Sequence, residues 1–264
     1  MINLNNYQKH DEPYPLIIFD NFFEENFLQK ILAEFPSIEE FIKFKKTMVN
    51  RRFLSNENPD FYKYINTNKS WKEFYENVNT KVFFSKILNL LVENNSQNHK
   101  KFSTLVYKEN LYKKSNLKFN FMHYVRESIQ SLPRNRVINY LRDNIKSKIN
   151  LASNRENNCY LRLDISSASN GYNRKPHKDS DGTIIAFLIY LEDKNNIGGT
   201  GGNFIINDNS MKKIKELEPK KNRAVFFLSN KNSYHSVSEM KFANGWRKFI
   251  YGGFTSRNKN IWKD

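Results

Sequence analysis

Cysteine is almost missing from this chain: Cys159 is the one thiol in 264 residues. A single cysteine excludes an internal disulfide and any zinc or iron–sulfur site built on several thiolates. Long apolar runs are missing too. The longest clear one, Ile184–Leu191, falls far short of the roughly 18–20 residues that span a bilayer. The opening residues, Met1-Ile2-Asn3-Leu4-Asn5-Asn6, lack both the basic start and the apolar stretch of a secretory leader. A cytoplasmic protein of a reducing compartment, with no membrane partner, is expected. Acidic residues are scarce as well, 27 against 43 Lys and Arg, which leaves a formal charge of +16. Such a balance can mark a nucleic-acid partner. The chain is also loaded with Asn, Ile, Phe and Tyr, so the excess reads as a compositional bias spread over solvated surface, and nucleic acid is not the expected partner.

What is present is a folding chain: 39% of residues are hydrophobic and 15% aromatic, more than a disordered segment carries. The first forty residues read as strand then helix. Pro15–Asp20 is a short apolar run, Asp20-Asn21 offers helix-start chemistry, and Leu28, Ile31, Leu32 and Phe35 share one helical face before Pro36 ends it. Ser70-Trp71-Lys72-Glu73 has the form of a capping box, and apolar spacing through Phe74, Phe84, Leu88 and Leu91 predicts two helices after it. From Lys100 to Glu156 thirteen Lys and Arg face four acidic residues, and Pro133 is placed to start a helix carrying Val137, Leu141 and Ile145. After Asn158 the pattern changes to short β-branched and aromatic runs at Tyr160–Ile165, Ile184–Leu191, Asn203–Ile206, Ala224–Leu228 and Lys248–Phe254. Helices first and strands second predict an α+β chain with a jelly-roll core in its C-terminal half.

Two of the five histidines fall in the strand-rich half. His177-Lys178-Asp179 places an imidazole and a carboxylate two positions apart, on one face if the segment is a strand. His235 follows the apolar run Ala224–Leu228 and a short polar loop. Two His and one carboxylate are the ligands of a non-haem Fe(II) facial triad, and the same set suits catalytic Zn²⁺. Arg247, at the start of Arg247-Lys248-Phe249-Ile250-Tyr251, would anchor a dicarboxylate cosubstrate through paired, charge-assisted hydrogen bonds. Alternation lets only one of Arg247 and Lys248 face a pocket; Arg247 is favoured because Phe249 and Tyr251 then turn inward with it, and Lys248 stays open as the alternative. Gly198–Gly202 leads into a strand without a following Lys-Ser/Thr, so it reads as a turn and not as a phosphate cradle. Asp181 has the wrong spacing to replace Asp179. Cys159 lacks the partners of a nucleophile, and His10, His99 and His123 read as surface or packing residues.

These residues resemble the Fe(II)/2-oxoglutarate-dependent oxygenases, in the prolyl-4-hydroxylase-like branch of bacteria and phages. The segment Asn170–Ser180 is similar to that branch's first metal motif and Phe187–Leu191 to its core strand. Thr200-Gly201-Gly202-Asn203-Phe204 is similar to its Gly-Gly turn, Arg223–Phe227 to the strand entering the second His, and His235-Ser236-Val237 to its His-x-Val. Tyr14–Pro36 and Ser70–Leu91 resemble the family's opening strand and helices. The resemblance implies that His177, Asp179 and His235 bind Fe(II), and that Arg247 binds the far carboxylate of 2-oxoglutarate. Tyr190 either joins Arg247 on that carboxylate or is a core tyrosine. Two departures stand out: a slightly longer step from His235 to Arg247, and no tyrosine within Asp164–Ser169.

The expected protein is therefore a single catalytic domain over residues 1–264. Residues 1–95 form an N-terminal strand and supporting helices, 96–157 a basic, partly helical insertion, and 158–256 a jelly-roll (double-stranded β-helix) core. The implied reaction is hydroxylation of an unactivated C–H bond with O2, releasing succinate and CO2, with ascorbate as reductant. A prolyl residue of a peptide or protein is the implied substrate. A small molecule, sugar or nucleobase, or an anionic partner steered by the basic segment, stays open. The competing reading is a non-catalytic basic jelly-roll module with a vestigial metal pocket.

Overall fold

The computed structural model describes residues 1–43, 47–48, 50–93, 102, 104–109, 157–193, 199–241, 245–256 and 261–262. In chain order the elements are β1 (Tyr7–His10), β2 (Leu16–Phe19), α1 (Glu25–Ala33), α2 (Ile38–Lys43), β3 (Thr47–Met48), β4 (Arg51–Ser55), α3 (Pro59–Thr67), α4 (Lys69–Val78) and α5 (Lys81–Val92). Then follow β5 (Val106–Tyr107), β6 (Asn158–Ala168), β7 (Arg174–His177), β8 (Thr183–Tyr190), β9 (Phe204–Asn207), β10 (Lys213–Leu217), β11 (Arg223–Leu228), β12 (His235–Val237) and β13 (Arg247–Ser256). The helix expected after Pro133, and nearly all of the basic segment, lie outside the described residues. Among the described residues no helix is long and apolar enough to cross a membrane.

The strands make two sheets. The larger runs β1-β2-β11-β8-β13-β6-β4-β3 with β5 paired to β6, and the smaller runs β10-β9-β12-β7. Alternation gives the larger sheet two buried faces. Ile17, Phe19, Leu163, Ile165, Phe187, Ile189, Phe226 and Phe254 pack with the helical residues Leu28, Ile31, Trp71, Phe74, Phe84 and Leu88. The opposite face sends Leu16, Ile18, Ala186, Val225 and Phe227 against Phe204, Ile206 and Leu217 of the smaller sheet. The core is thus an α+β layering: helices, large sheet, small sheet.

Two helix starts differ from expectation, for the same reason. Asp20 does not cap α1, which begins at Glu25; its carboxylate accepts from Arg223 Nε at 2.7 Å and Nη2 at 3.0 Å, while Asn21 takes φ 62°. Ser70 does not form a box with Glu73. It lies inside α4, and the Glu34 carboxylate at the end of α1 accepts from its backbone N–H at 2.8 Å and its hydroxyl at 3.0 Å. In both places a tertiary partner took over a polar group that local sequence assigns to a cap. Side-chain caps form at two other helix starts: Thr80 Oγ1 accepts from Phe83 N at 3.1 Å, and Asn58 Oδ1 from Asp60 N at 3.0 Å ahead of Pro59.

Candidate metal centre

Antiparallel pairing of β12 with β7 sets His235 opposite His177, and directly opposed residues present their side chains on one face. The ring centroids lie 4.4 Å apart. Asp179 arrives differently. β7 ends at His177, so Lys178 and Asp179 lie beyond the strand, and strand alternation is not what aims the carboxylate. It is met from the other sheet: Tyr251 of β13 donates its hydroxyl to Asp179 Oδ1 at 3.2 Å. One ligand atom from each of His177, Asp179 and His235 falls within 4.8 Å of the other two.

The histidines present the correct nitrogen. His177 Nδ1 is 2.8 Å from the Lys175 carbonyl and His235 Nδ1 is 3.0 Å from the Ser233 carbonyl. A carbonyl only accepts, so each Nδ1 carries the hydrogen and each Nε2 keeps its lone pair. Burial, aided by His177, pulls the His235 pKa below the ordinary histidine value against the opposing pull of Asp179; the neutral ring, the form that ligates, is favoured. Phe204 stacks on this ring at 5.6 Å and Phe227 meets it edge-on at 4.8 Å. Asp179 Oδ2 stands 3.9 Å from His235 Nε2, too far for a hydrogen bond, and is buried without a partner among the described residues.

A second set of buried polar atoms lines the large sheet. Arg247 is fully buried: Nη1 donates to the Gly201 carbonyl at 2.9 Å, while Nε and Nη2 have no partner among the described residues. Gly202, at φ +70°, comes so close that a Cβ there would stand 1.9 Å from Arg247 Nη1; this turn admits the guanidinium because it lacks a side chain. Lys248 points the other way, its ammonium 3.2 Å from Glu192 Oε1. The Tyr190 hydroxyl is buried beside the Phe204 backbone with no well-formed hydrogen bond among the described residues, and burial raises its pKa, opposed by Arg247. A buried guanidinium with two idle donors and no carboxylate hydrogen-bonded to it among the described residues is costly. It fits a site built to receive one.

Asp181 is exposed and stands outside the cluster. Cys159 is buried, which pushes its thiol up and leaves it inert. His10 lies beside Lys215 Nζ at 3.0 Å; His99 and His123 fall outside the described residues. Sequence reasoning missed the group behind Tyr251. Arg51 and Arg162 each donate through Nη2 to Asp164 Oδ2 at 3.2 Å, and both guanidinium carbons lie over the Tyr251 ring, at 5.2 Å and 5.9 Å. The available signal was Arg162 and Asp164 interrupting an apolar strand on alternate positions.

Residues 163–255 match the family model of the 2OG-Fe(II) oxygenase superfamily. No curated protein matches the chain. Among solved structures, a Pseudomonas putida prolyl-4-hydroxylase is 11% identical, with 91% of this chain and 92% of that one covered and a TM-score of 0.47. A prolyl 4-hydroxylase from Phytophthora capsici is 12% identical, with 91% and 58% covered and a TM-score of 0.48. A viral collagen prolyl hydroxylase from Paramecium Bursaria Chlorella virus-1 is 11% identical, with 91% and 95% covered and a TM-score of 0.41. His177, Asp179 and His235 converge inside the stretch that matches the Fe(II)/2-oxoglutarate oxygenase superfamily.

Proposed function

We propose that this protein is an Fe(II)- and 2-oxoglutarate-dependent dioxygenase of the prolyl-4-hydroxylase-like branch, with a prolyl residue of a peptide or protein as its substrate. The observation that carries the reading is the convergence of three ligand atoms within 4.8 Å, two of them imidazole nitrogens freed by their backbone partners. His177, Asp179 and His235 hold the iron, an N,N,O set that suits Fe(II) and leaves positions open. Arg247 holds the far carboxylate of 2-oxoglutarate through the two donors it does not spend on Gly201, and Tyr190 adds a third. Bound there, iron and 2-oxoglutarate supply the oxidising power: O2 is consumed as the cosubstrate loses CO2 to give succinate, and one oxygen atom enters the substrate C–H bond.

The protein's own part is to bind, orient and keep water out. Phe204 and Phe227 hold the His235 ring in plane and deny it solvent. Gly201 holds Arg247 by accepting from its Nη1, and Gly202 leaves room for the guanidinium by lacking a side chain. In this reading strands β6 to β13 of the two facing sheets are a double-stranded β-helix within residues 158–256, the N-terminal strands and helices extend and buttress it, and 96–157 is a basic insertion in one catalytic domain. Ascorbate serves to keep the metal reduced. Zinc hydrolysis would use the same three ligands, but it gives the idle guanidinium of Arg247 nothing to do.

Incubation with Fe(II), 2-oxoglutarate, ascorbate, isotopically labelled O2 and a library of proline-containing peptides tests the proposal. Labelled hydroxyproline is the expected product. Label appearing only in small molecules or sugars of a lysate would move the substrate class, and binding of both cofactors without incorporation anywhere would favour a non-catalytic module.

A further inference from the structure

Of the three ligands, Asp179 is the one without a ladder to hold it. His177 ends β7 and His235 begins β12, each fixed by strand pairing and by an Nδ1 contact. Asp179 lies past the strand end, and its one hydrogen-bond partner among the described residues is the Tyr251 hydroxyl, 3.2 Å from Oδ1. Tyr251 is itself braced. Its ring lies beneath the guanidinium carbons of Arg51 and Arg162, at 5.2 Å and 5.9 Å. Asp164, with no solvent exposure, accepts from both arginines at 3.2 Å, and Ser166 Oγ accepts from Arg51 at 2.8 Å. β13 pairs Tyr251 with Asp164 directly, so the brace is built into the register of the large sheet.

We infer that Tyr251 is a positioning residue: held by the Arg51–Asp164–Arg162 group, it engages Asp179 Oδ1 and so presents Oδ2 to the metal. The inference rests on the reading of His177, Asp179 and His235 as metal ligands. A tyrosine hydroxyl carries its proton at neutral pH and so can donate to a carboxylate. With that bond in place one oxygen is spoken for and the other, buried and without a hydrogen-bond partner among the described residues, stands 3.9 Å from His235 Nε2. Groups that orient ligands in this way tune metal affinity without touching the metal.

The test is Tyr251→Phe, which removes one oxygen and leaves the ring under both arginines. Full-length wild type, Y251F and H177A are titrated with Co(II) alone, without 2-oxoglutarate or O2, by calorimetry and by the ligand-field absorption of bound cobalt. The metal-free melting temperature of each is measured in parallel. The expected result is a dissociation constant about 10–100-fold higher for Y251F, a changed cobalt spectrum, and melting close to wild type. A purely structural tyrosine would lower the melting temperature and leave the spectrum alone. Should Y251F not fold, Arg162→Met loosens the brace from its partly exposed side, and a rise of about 2–5-fold is expected from loss of one cation–π contact. Y251F binding within about twofold of wild type, while H177A fails to bind, overturns the inference alone. Equal, weak binding by all three overturns the metal reading together with it.

Discussion

The two sheets differ in how much of their geometry the backbone enforces. The larger is built on β6, β8 and β13, of 11, 8 and 10 residues, whose pairings run almost unbroken and whose two faces are both packed. The smaller has strands of 3 to 5 residues, and the pairings of β10 with β9 and of β12 with β7 shift register within them. The long sheet carries the groups that need depth and rigidity: Arg247, Tyr190, and Tyr251 with its brace. The short sheet carries the histidines and releases the chain just before Asp179. Short strands that end at the site fix the two histidines but not Asp179, and the long sheet supplies through Tyr251 the contact it lacks.

If stability lives in the large sheet and ligation on the small one, single substitutions should separate the two. His235→Ala has the largest expected effect. It should weaken Co(II) binding by more than about 100-fold, beyond what losing an outer partner costs, while circular dichroism stays unchanged; a collapse of the fold would erase the distinction. Phe226→Ala acts on the other side. It empties a fully buried site against the helices and should cost about 3–5 kcal/mol in urea unfolding, with Co(II) affinity of the folded fraction kept. Arg247→Met should raise the KM for 2-oxoglutarate by about 10–150-fold, the equivalent of losing charge-assisted hydrogen bonds, with a much smaller change in kcat. An unchanged KM would point to another anchor.

The smallest effect concerns the seam between the opening segment and the large sheet. Arg223 holds Asp20 through two hydrogen bonds, which lower its pKa below the ordinary carboxylate value. A lowered folded pKa means stability that is present above about pH 4 and lost as pH falls through the folded value. The pair is partly solvated, so Asp20→Asn should cost under about 1 kcal/mol at pH 7. It should also flatten the acid limb of a melting-temperature profile between about pH 4 and pH 2.

Legibility in the sequence followed the same division. The strands of the large sheet stand out as apolar runs because both faces are buried: Ile184–Leu191 and Ala224–Leu228 each mark a central strand to within a residue. β7, with Arg174, Lys175 and Pro176 exposed, and β10, with four exposed residues, have no burial to write into their composition and gave no signal. The histidine pair could be picked out, but the same-face argument for His177 and Asp179 assumed a strand that stops at His177. The caps at Asp20 and Ser70 failed because Arg223 and Glu34 are distant in sequence and close in space. Tyr251 was placed inward by alternation with Arg247; its bond to Asp179 spans 72 residues and two sheets, and no local pattern encodes that.

The central claim is that the His177–Asp179–His235 cluster and Arg247 act together on one cosubstrate. Its most direct test is succinate release from 2-oxoglutarate by the full chain under O2, with and without Fe(II), for wild type, Asp179→Ala and Arg247→Met. The account predicts Fe(II)- and O2-dependent succinate from wild type, none above background from D179A, and recovery by R247M only at raised 2-oxoglutarate. Succinate formed equally by wild type and D179A, or by none of the three at any 2-oxoglutarate concentration, would contradict it.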